Sequence, residues 1–293
     1  MTGRKLKLML NKKSVRTAIA LLCCALIIVC ASVPIVRSNR RFSAKETIQL
    51  SEIFIKETDR IKINLTAYRC FSSQAPENTL PAIKEAAKTS FRSVEMDLRL
   101  TEDDVWVLSS DSRVNAMTDK RGKISSYTYY DLITCDINRG ANIENYENLK
   151  IPTLEQALKV CLECNSKPFL NLLDCSEESI QPLIDIIEAN GFSENCRVMC
   201  QNREILEKIN EINPNITTIL YAEKLNGKKT DECLDFGGGV CIDADKNLRK
   251  EKNIKKLIDS GLTVYCLDAY EAETMQFYFD IGICEFITDR VYK

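Results

Sequence analysis

From about residue 61 onward, short β-rich runs alternate with segments of helical period along the chain. The runs at 61–67, 93–98, 105–108, 169–173, 197–200, 217–221, 239–242, 262–267 and 285–288 read as strands. Between them lie segments with helical period and helix punctuation. Thr153-Leu-Glu-Gln156 reads as a capping box ahead of apolar Leu154, Ala157, Leu158 and Cys161. The helix at 203–212 stops at Asn213-Pro214, and the one at 254–260 stops at Gly261. Strands and helices alternating over about 230 residues predict a parallel sheet closed into a TIM-type (β/α)8 barrel.

The N-terminal pattern is different. Residues 17–36 carry no charge, and twenty residues of helix cover the roughly 30 Å of a bilayer's hydrocarbon core. Arg4, Lys5, Lys7, Lys12, Lys13 and Arg16 precede the segment; Arg37, Arg40, Arg41 and Lys45 follow it. That bias predicts a cytoplasmic N-terminus and an extracytoplasmic barrel. The alternative is a cleaved signal peptide, with Val29-Cys30-Ala31 at the cut. The expected organisation is therefore a basic cytoplasmic tail at 1–16, one transmembrane anchor at 17–37, a juxtamembrane linker or helix at 38–61, and a barrel domain at 62–293.

Composition changes this picture at two points. The net charge of −2 gives no basic field and excludes nucleic acid as the expected partner. Histidine is absent from all 293 residues, which excludes every mechanism needing an imidazole. Of the 14 cysteines, Cys23, Cys24 and Cys30 fall in the apolar N-terminal segment and 11 fall in the domain. An odd number cannot pair completely, and Cys161-Leu-Glu-Cys164 has neither a second pair nor a histidine to complete a zinc site. The domain cysteines read as small buried hydrophobes, an unusual content for an oxidising compartment.

In a barrel, chemistry sits at the C-terminal ends of the strands. Those ends carry Thr66-Ala-Tyr-Arg-Cys70, then Ala75-Pro-Glu-Asn-Thr79, Val94-Glu-Met-Asp97, Val105-Trp-Val-Leu-Ser-Ser-Asp111 and finally Ile287-Thr-Asp-Arg290. In order and spacing, from Ile63 to Arg290, these elements resemble the signature of the glycerophosphodiester phosphodiesterase family: A-H-R-G, P-E-N-T, V-E-x-D, W-V-x-x-H-D and I-x-T-D. The resemblance implies hydrolysis of a glycerophosphodiester by two histidines, with a divalent cation such as Ca or Mg held by the E-x-D carboxylates and a third-strand glutamate, and an arginine on the phosphate.

Set against that pattern, the positions of the two catalytic histidines hold Tyr68 and Ser110, and the metal-binding glutamate is Asn171. The glycine after the arginine is Cys70, and a lysine position is Leu173. Glu95, Asp97 and Arg69 remain, as do Glu77, Asn78, Thr79, Asp111, Thr288 and Asp289. A phenol or a serine hydroxyl is a poor proton carrier near neutral pH, and an amide in place of a carboxylate weakens a cation site. The expectation is a membrane-anchored, catalytically impaired pseudoenzyme that binds a phosphorylated or polyol ligand, with the cation weakly bound or absent. Two alternatives stand beside it: an active hydrolase of lipid metabolism with a histidine-free site, in which Asp111 serves as surrogate base, and a barrel with a structural or interaction role. Each retained residue also has a plain structural reading. Glu95 and Asp97 are either metal ligands or a pair held by a cation, and Arg69 is either an anion binder or the salt-bridge partner of Glu95. Asn78 and Thr79 read as helix caps, Tyr68 as a cavity filler and Trp106 as packing. The sharpest structural expectation is that Tyr68, Arg69, Glu95, Asp97, Ser110 and Asn171 converge on one concave face.

Overall fold

The structure, a computed structural model, describes residues 63–290. Nine strands follow in chain order: β1 (Asn64–Ala67), β2 (Ser93–Leu100), β3 (Trp106–Leu108), β4 (Lys167–Leu172), β5 (Arg197–Cys200), β6 (Thr217–Tyr221), β7 (Gly239–Asp243), β8 (Val264–Leu267) and β9 (Glu285–Thr288). Eight of them, all but β3, pair in parallel and close on themselves, because β1 pairs both with β2 (Thr66 opposite Ser93) and with β9 (Thr66 opposite Ile287). This is the TIM-type barrel. The 105–108 run is not a barrel strand: β3 lies antiparallel on β2, with Leu98 opposite Leu108. Only five residues separate β2 from β3, too few for the crossover a parallel partner needs, so a hairpin is the available connection.

Side chains alternate between two apolar layers, as the pleat requires. Val94, Met96 and Leu98 of β2, with Leu170 and Leu172 of β4, face the surrounding helices and form the outer core. Phe169, Met199, Ile219, Cys241, Tyr265 and Ile287 fill the barrel interior. The rings of Phe169 and Tyr265 meet edge to face with centroids 5.6 Å apart, and Trp106 is fully packed in the outer core.

The helices after the strands include α1 (Leu80–Ala86), α3 (Leu154–Glu163), α4 (Ile180–Ala189) and α5 (Arg203–Ile212); α2 (Tyr129–Leu132) is a single turn. Thr153 caps α3 as a full capping box: its hydroxyl accepts the Gln156 N–H, and the Gln156 side chain accepts the Thr153 N–H. Between β3 and α3 the chain makes an excursion with a small core of its own, Val107, Val114, Ile124, Leu132, Ile137 and Ile151. Gly140 lets this excursion lie against Pro76, since a side chain there would come within 2.7 Å of the Pro76 Cα.

The basic tail, the apolar segment at 17–37 and the linker at 38–61 lie outside the described residues. Among those described, no helix is long and apolar enough to cross a membrane.

Candidate active site

The site is built on the strand ends. Beyond β1, Arg69, Cys70 and Phe71 all take left-handed backbone angles, with φ of 47°, 65° and 106°. For non-glycine residues this conformation costs about 1–2 kcal/mol each, and the family's glycine at the place of Cys70 is free of that cost. The turn points the Arg69 N–H at Glu95 Oε2, 2.8 Å away. The Arg69 guanidinium lies over the Tyr68 ring at 4.8 Å, donates to Glu77 Oε2 at 2.9 Å and approaches Asp97 Oδ2 at 3.4 Å. Its ion-pair partners are therefore Glu77 and Asp97. Glu95 is held by the backbone of Arg69 and not by a salt bridge to its side chain, which was the structural alternative for Arg69.

On β2, residues 95, 97 and 99 share the inward face because they are two apart. Asp97 is the most heavily bonded of them. Asn78 Nδ2 donates to its Oδ2 at 3.0 Å, Asn171 Nδ2 donates to its Oδ1 at 2.8 Å, and the Asp97 N–H donates back to Asn78 Oδ1 at 3.0 Å. Asn78 is thus no helix cap, contrary to its sequence reading: in a left-handed turn, with φ of 54°, it clamps Asp97. Thr79 caps α1, accepting the Ala82 N–H. The Ser110 hydroxyl donates to Glu77 Oε1 in a short bond. Arg99 joins Asp174 (2.8 Å) to the Ser110 carbonyl (2.7 Å). Ser73 Oγ donates to the Asp289 carbonyl at 2.6 Å, tying β9 to the turn after β1.

Tyr68, Arg69, Asp97, Ser110 and Asn171 line one open cavity of about 670 Å³. Glu95 lies fully buried behind it. Five of the six residues expected to converge thus share one cavity, drawn from β1, β2, β4 and the loop after β3. Asp111 is exposed and is not among the lining residues; the carboxylates the cavity presents are Asp97 and those of Asp174 and Asp268. Sequence reasoning passed over Asp268, although it stands just past β8 where strand-end chemistry belongs. It also passed over Arg99, which the two-residue period places beside Asp97.

Burial sets the electrostatics. It pushes the Glu95 carboxyl well above the usual carboxylate range, with the neighbouring Asp97 charge adding to the effect and the Arg69 N–H and charge opposing it. Burial likewise raises the Tyr68 phenol well above its ordinary value, so Tyr68 stays protonated and supplies no base. Asp268 is pushed up to about 6, chiefly by burial, while a hydrogen bond from the Tyr270 hydroxyl opposes the rise.

These donors do not fit the divalent cation that the resemblance implies. Both Asp97 oxygens are already taken by amide N–H groups, and Asn171 turns its amino group toward Asp97. Glu95 Oε1, buried and without a hydrogen-bond partner, is the one carboxylate oxygen of that set left over, and a hard cation needs several such ligands. Among the described residues, no group of three or more His, Cys, Asp or Glu side chains is arranged to hold a metal ion.

The comparisons with known proteins agree with this architecture. The chain is 31% identical over 163 residues to glycerophosphodiester phosphodiesterase 1 of Bos taurus, covering 55% of this chain and 49% of that one. It thus spans about half the length of that curated relative. The glycerophosphodiester phosphodiesterase of Bacillus subtilis (strain 168) is 23% identical over 245 residues, 78% of this chain and 84% of the relative. In fold, the chain is similar to an Oleispira antarctica phosphodiesterase solved in complex with the product sn-glycerol-3-phosphate. That match has a TM-score of 0.71 and 21% identity, covering 77% of this chain and 92% of that one. The model of the glycerophosphoryl diester phosphodiesterase family matches residues 69–293. With the barrel, the strand-end motifs and this match in agreement, the chain belongs to the glycerophosphoryl diester phosphodiesterase family.

Proposed function

We propose that this protein is a membrane-anchored, catalytically impaired member of its family that binds a phosphorylated or polyol ligand in the strand-end cavity without turning it over. One observation carries the proposal. The three positions from which relatives would draw their acid, base and third metal carboxylate hold Tyr68, Ser110 and Asn171. Ser110 and Asn171 are bonded inward, to Glu77 and Asp97, while Tyr68, lying under the Arg69 guanidinium, is kept protonated by its burial. Each lost acid or base is worth typically about 10²–10⁴-fold, although losses within one catalytic unit do not add. Calcium or magnesium would be held weakly or not at all. Binding remains supported because Arg69 and Arg99 both line the cavity and carry the charge an anion needs. The tether rests on the uncharged segment at 17–36 and on the basic residues before it.

A second reading, hydrolysis without histidine, draws on Asp268. A cavity-lining carboxyl that holds its proton up to about pH 6 has the character of a general acid for a departing alkoxide.

The test is an assay of the purified protein on glycerophosphodiesters with calcium and with magnesium, together with thermal unfolding in sn-glycerol 3-phosphate. The expected result is no chelator-sensitive hydrolysis and a saturable rise in Tm, since a ligand that binds only the folded state stabilises it. Restoring Tyr68→His, Ser110→His and Asn171→Glu together should recover some turnover, and no single change should. Robust native hydrolysis abolished by a chelator and by Glu95→Gln would sink the impaired-enzyme reading. Hydrolysis lost in Asp268→Asn alone would establish the second.

A further inference from the structure

The rim of the same cavity carries a feature that the proposed ligand binding does not use. Cys200 is the last residue of β5, and Cys175 lies three residues beyond the end of β4, the strand paired with β5. Their Sγ atoms stand 3.8 Å apart, and both residues line the open cavity. The Asn202 N–H donates to Cys200 Sγ at 3.4 Å. We propose that Cys175 and Cys200 form a peroxide-sensitive thiol pair that closes reversibly into a disulfide across the cavity rim.

Three observations support it. The sulfurs need approach by only about 1.8 Å to reach the ~2.05 Å of a disulfide, and Cys175 sits on a loop, the more compliant of the two backbones. Both residues line the open cavity, the route by which a small oxidant arrives, with Cys175 half-buried and Cys200 3% exposed. The pair is also polarised: the hydrogen bond shared between the two sulfurs, with backbone N–H groups of residues 201 and 202, lowers the Cys200 thiol to about 7 and raises that of Cys175, while burial pushes Cys70, Cys196 and Cys241 up. A reactive cysteine beside a resolving partner is the arrangement peroxide chemistry requires.

The step balances. The Cys200 thiolate attacks one oxygen of hydrogen peroxide, the O–O bond breaks, and the departing hydroxide takes a proton to become water. The Cys200 sulfenic acid is then attacked by the Cys175 sulfur. Its S–O bond breaks and a second water leaves with the Cys175 proton. Two thiols are oxidised to one disulfide and the peroxide is reduced to two waters. Asp174, the immediate neighbour of Cys175, holds Arg99 at 2.8 Å, so closure draws on the arginine side of the cavity.

The experiment treats the reduced full-length protein with graded hydrogen peroxide, alkylates the remaining thiols and maps the peptides by mass spectrometry without reduction. The expected result is a peptide pair linked through Cys175 and Cys200, formed before adducts at the other cysteines and lost on treatment with dithiothreitol. In Cys175→Ser, Cys200 should be trapped as a sulfenic acid that dimedone labels. In Cys200→Ser, oxidation of Cys175 at pH 7 should slow by about tenfold, because an ordinary thiol is only a few per cent thiolate there. Treated wild-type protein whose Cys175 and Cys200 alkylate as before, or link to other cysteines instead, would overturn the proposal, and neither result depends on a variant folding.

Discussion

At the scale of single residues, the site is a closed set of polar groups in which each holds another. Asn78 is 2% exposed and makes two hydrogen bonds to Asp97. Removing its amide leaves the buried Asp97 N–H unmet and Asp97 Oδ2 with only the Arg69 guanidinium at 3.4 Å, which costs about 1–3 kcal/mol, and alanine is a poor occupant of its left-handed turn. Asn78→Ala should therefore lower the unfolding free energy by about 2–3 kcal/mol in urea; a loss below about 0.5 kcal/mol, the usual range for an exposed position, would refute the clamp.

Asp268 gives a pH signature. Its carboxyl titrates near 3.8 when free and at about 6 in the folded chain, so between those values the folded state holds a proton that the unfolded state has released. Its contribution to stability accordingly falls as pH rises from about 4 to 6 and is fully unfavourable above that. Asp268→Asn keeps an oxygen for the Tyr270 hydroxyl and removes the penalty. The variant should match the native protein near pH 4 and exceed it near pH 7 by on the order of 1–2 kcal/mol, allowing for partial screening by solvent. Urea titrations at the two pH values read this directly, and an equal offset at both would contradict the assignment.

At the scale of elements, all nine strands were legible as short β-rich runs between helical segments, although β2 carries Glu95, Asp97 and Arg99 among its apolar residues. The 93–98 run became Ser93–Leu100 and the 262–267 run became Val264–Leu267, shifts of a few residues at ends where pairing and not composition decides. The helix read at 203–212 is Arg203–Ile212, because Asn202 and Asn213-Pro214 bound it chemically. The one read at 254–260 begins earlier, at Glu251, since its first turn is charged and carries no apolar stripe. Direction was not legible: nothing in the composition of 105–108 says antiparallel, and only the short link to β2 does. The excursion after β3 was opaque, being built of short 3-10 turns over a core whose members lie far apart in sequence. The strand-end motifs placed Tyr68, Arg69, Asp97, Ser110 and Asn171 correctly on one cavity. Asn78 was misread because two capping residues stood side by side and the cap needed one. The Cys175–Cys200 pair was invisible because it exists only where β4 and β5 end together.

At the scale of the whole molecule, stability depends on closure. Asn64 Nδ2 donates to Glu285 Oε1 at 2.7 Å across 221 residues of chain, and β1 is held between β2 and β9. Without β9, β1 and β8 would each present an unpaired edge and the apolar interior would open, the usual setting for aggregation. A chain stopped before residue 285 should therefore be recovered mostly in the insoluble fraction; a soluble monomer of unchanged far-ultraviolet dichroism would show that the barrel does not need its seam. The same seam sets an order of events at the ribosome. The first strand emerges early and its last neighbour 221 residues later, a wait of roughly ten to forty seconds at ordinary elongation rates. Through that interval the nascent chain carries two open edges, at β1 and at the last strand formed, so its yield in a cell should depend on what shields those edges during translation as well as on the stability of the finished barrel.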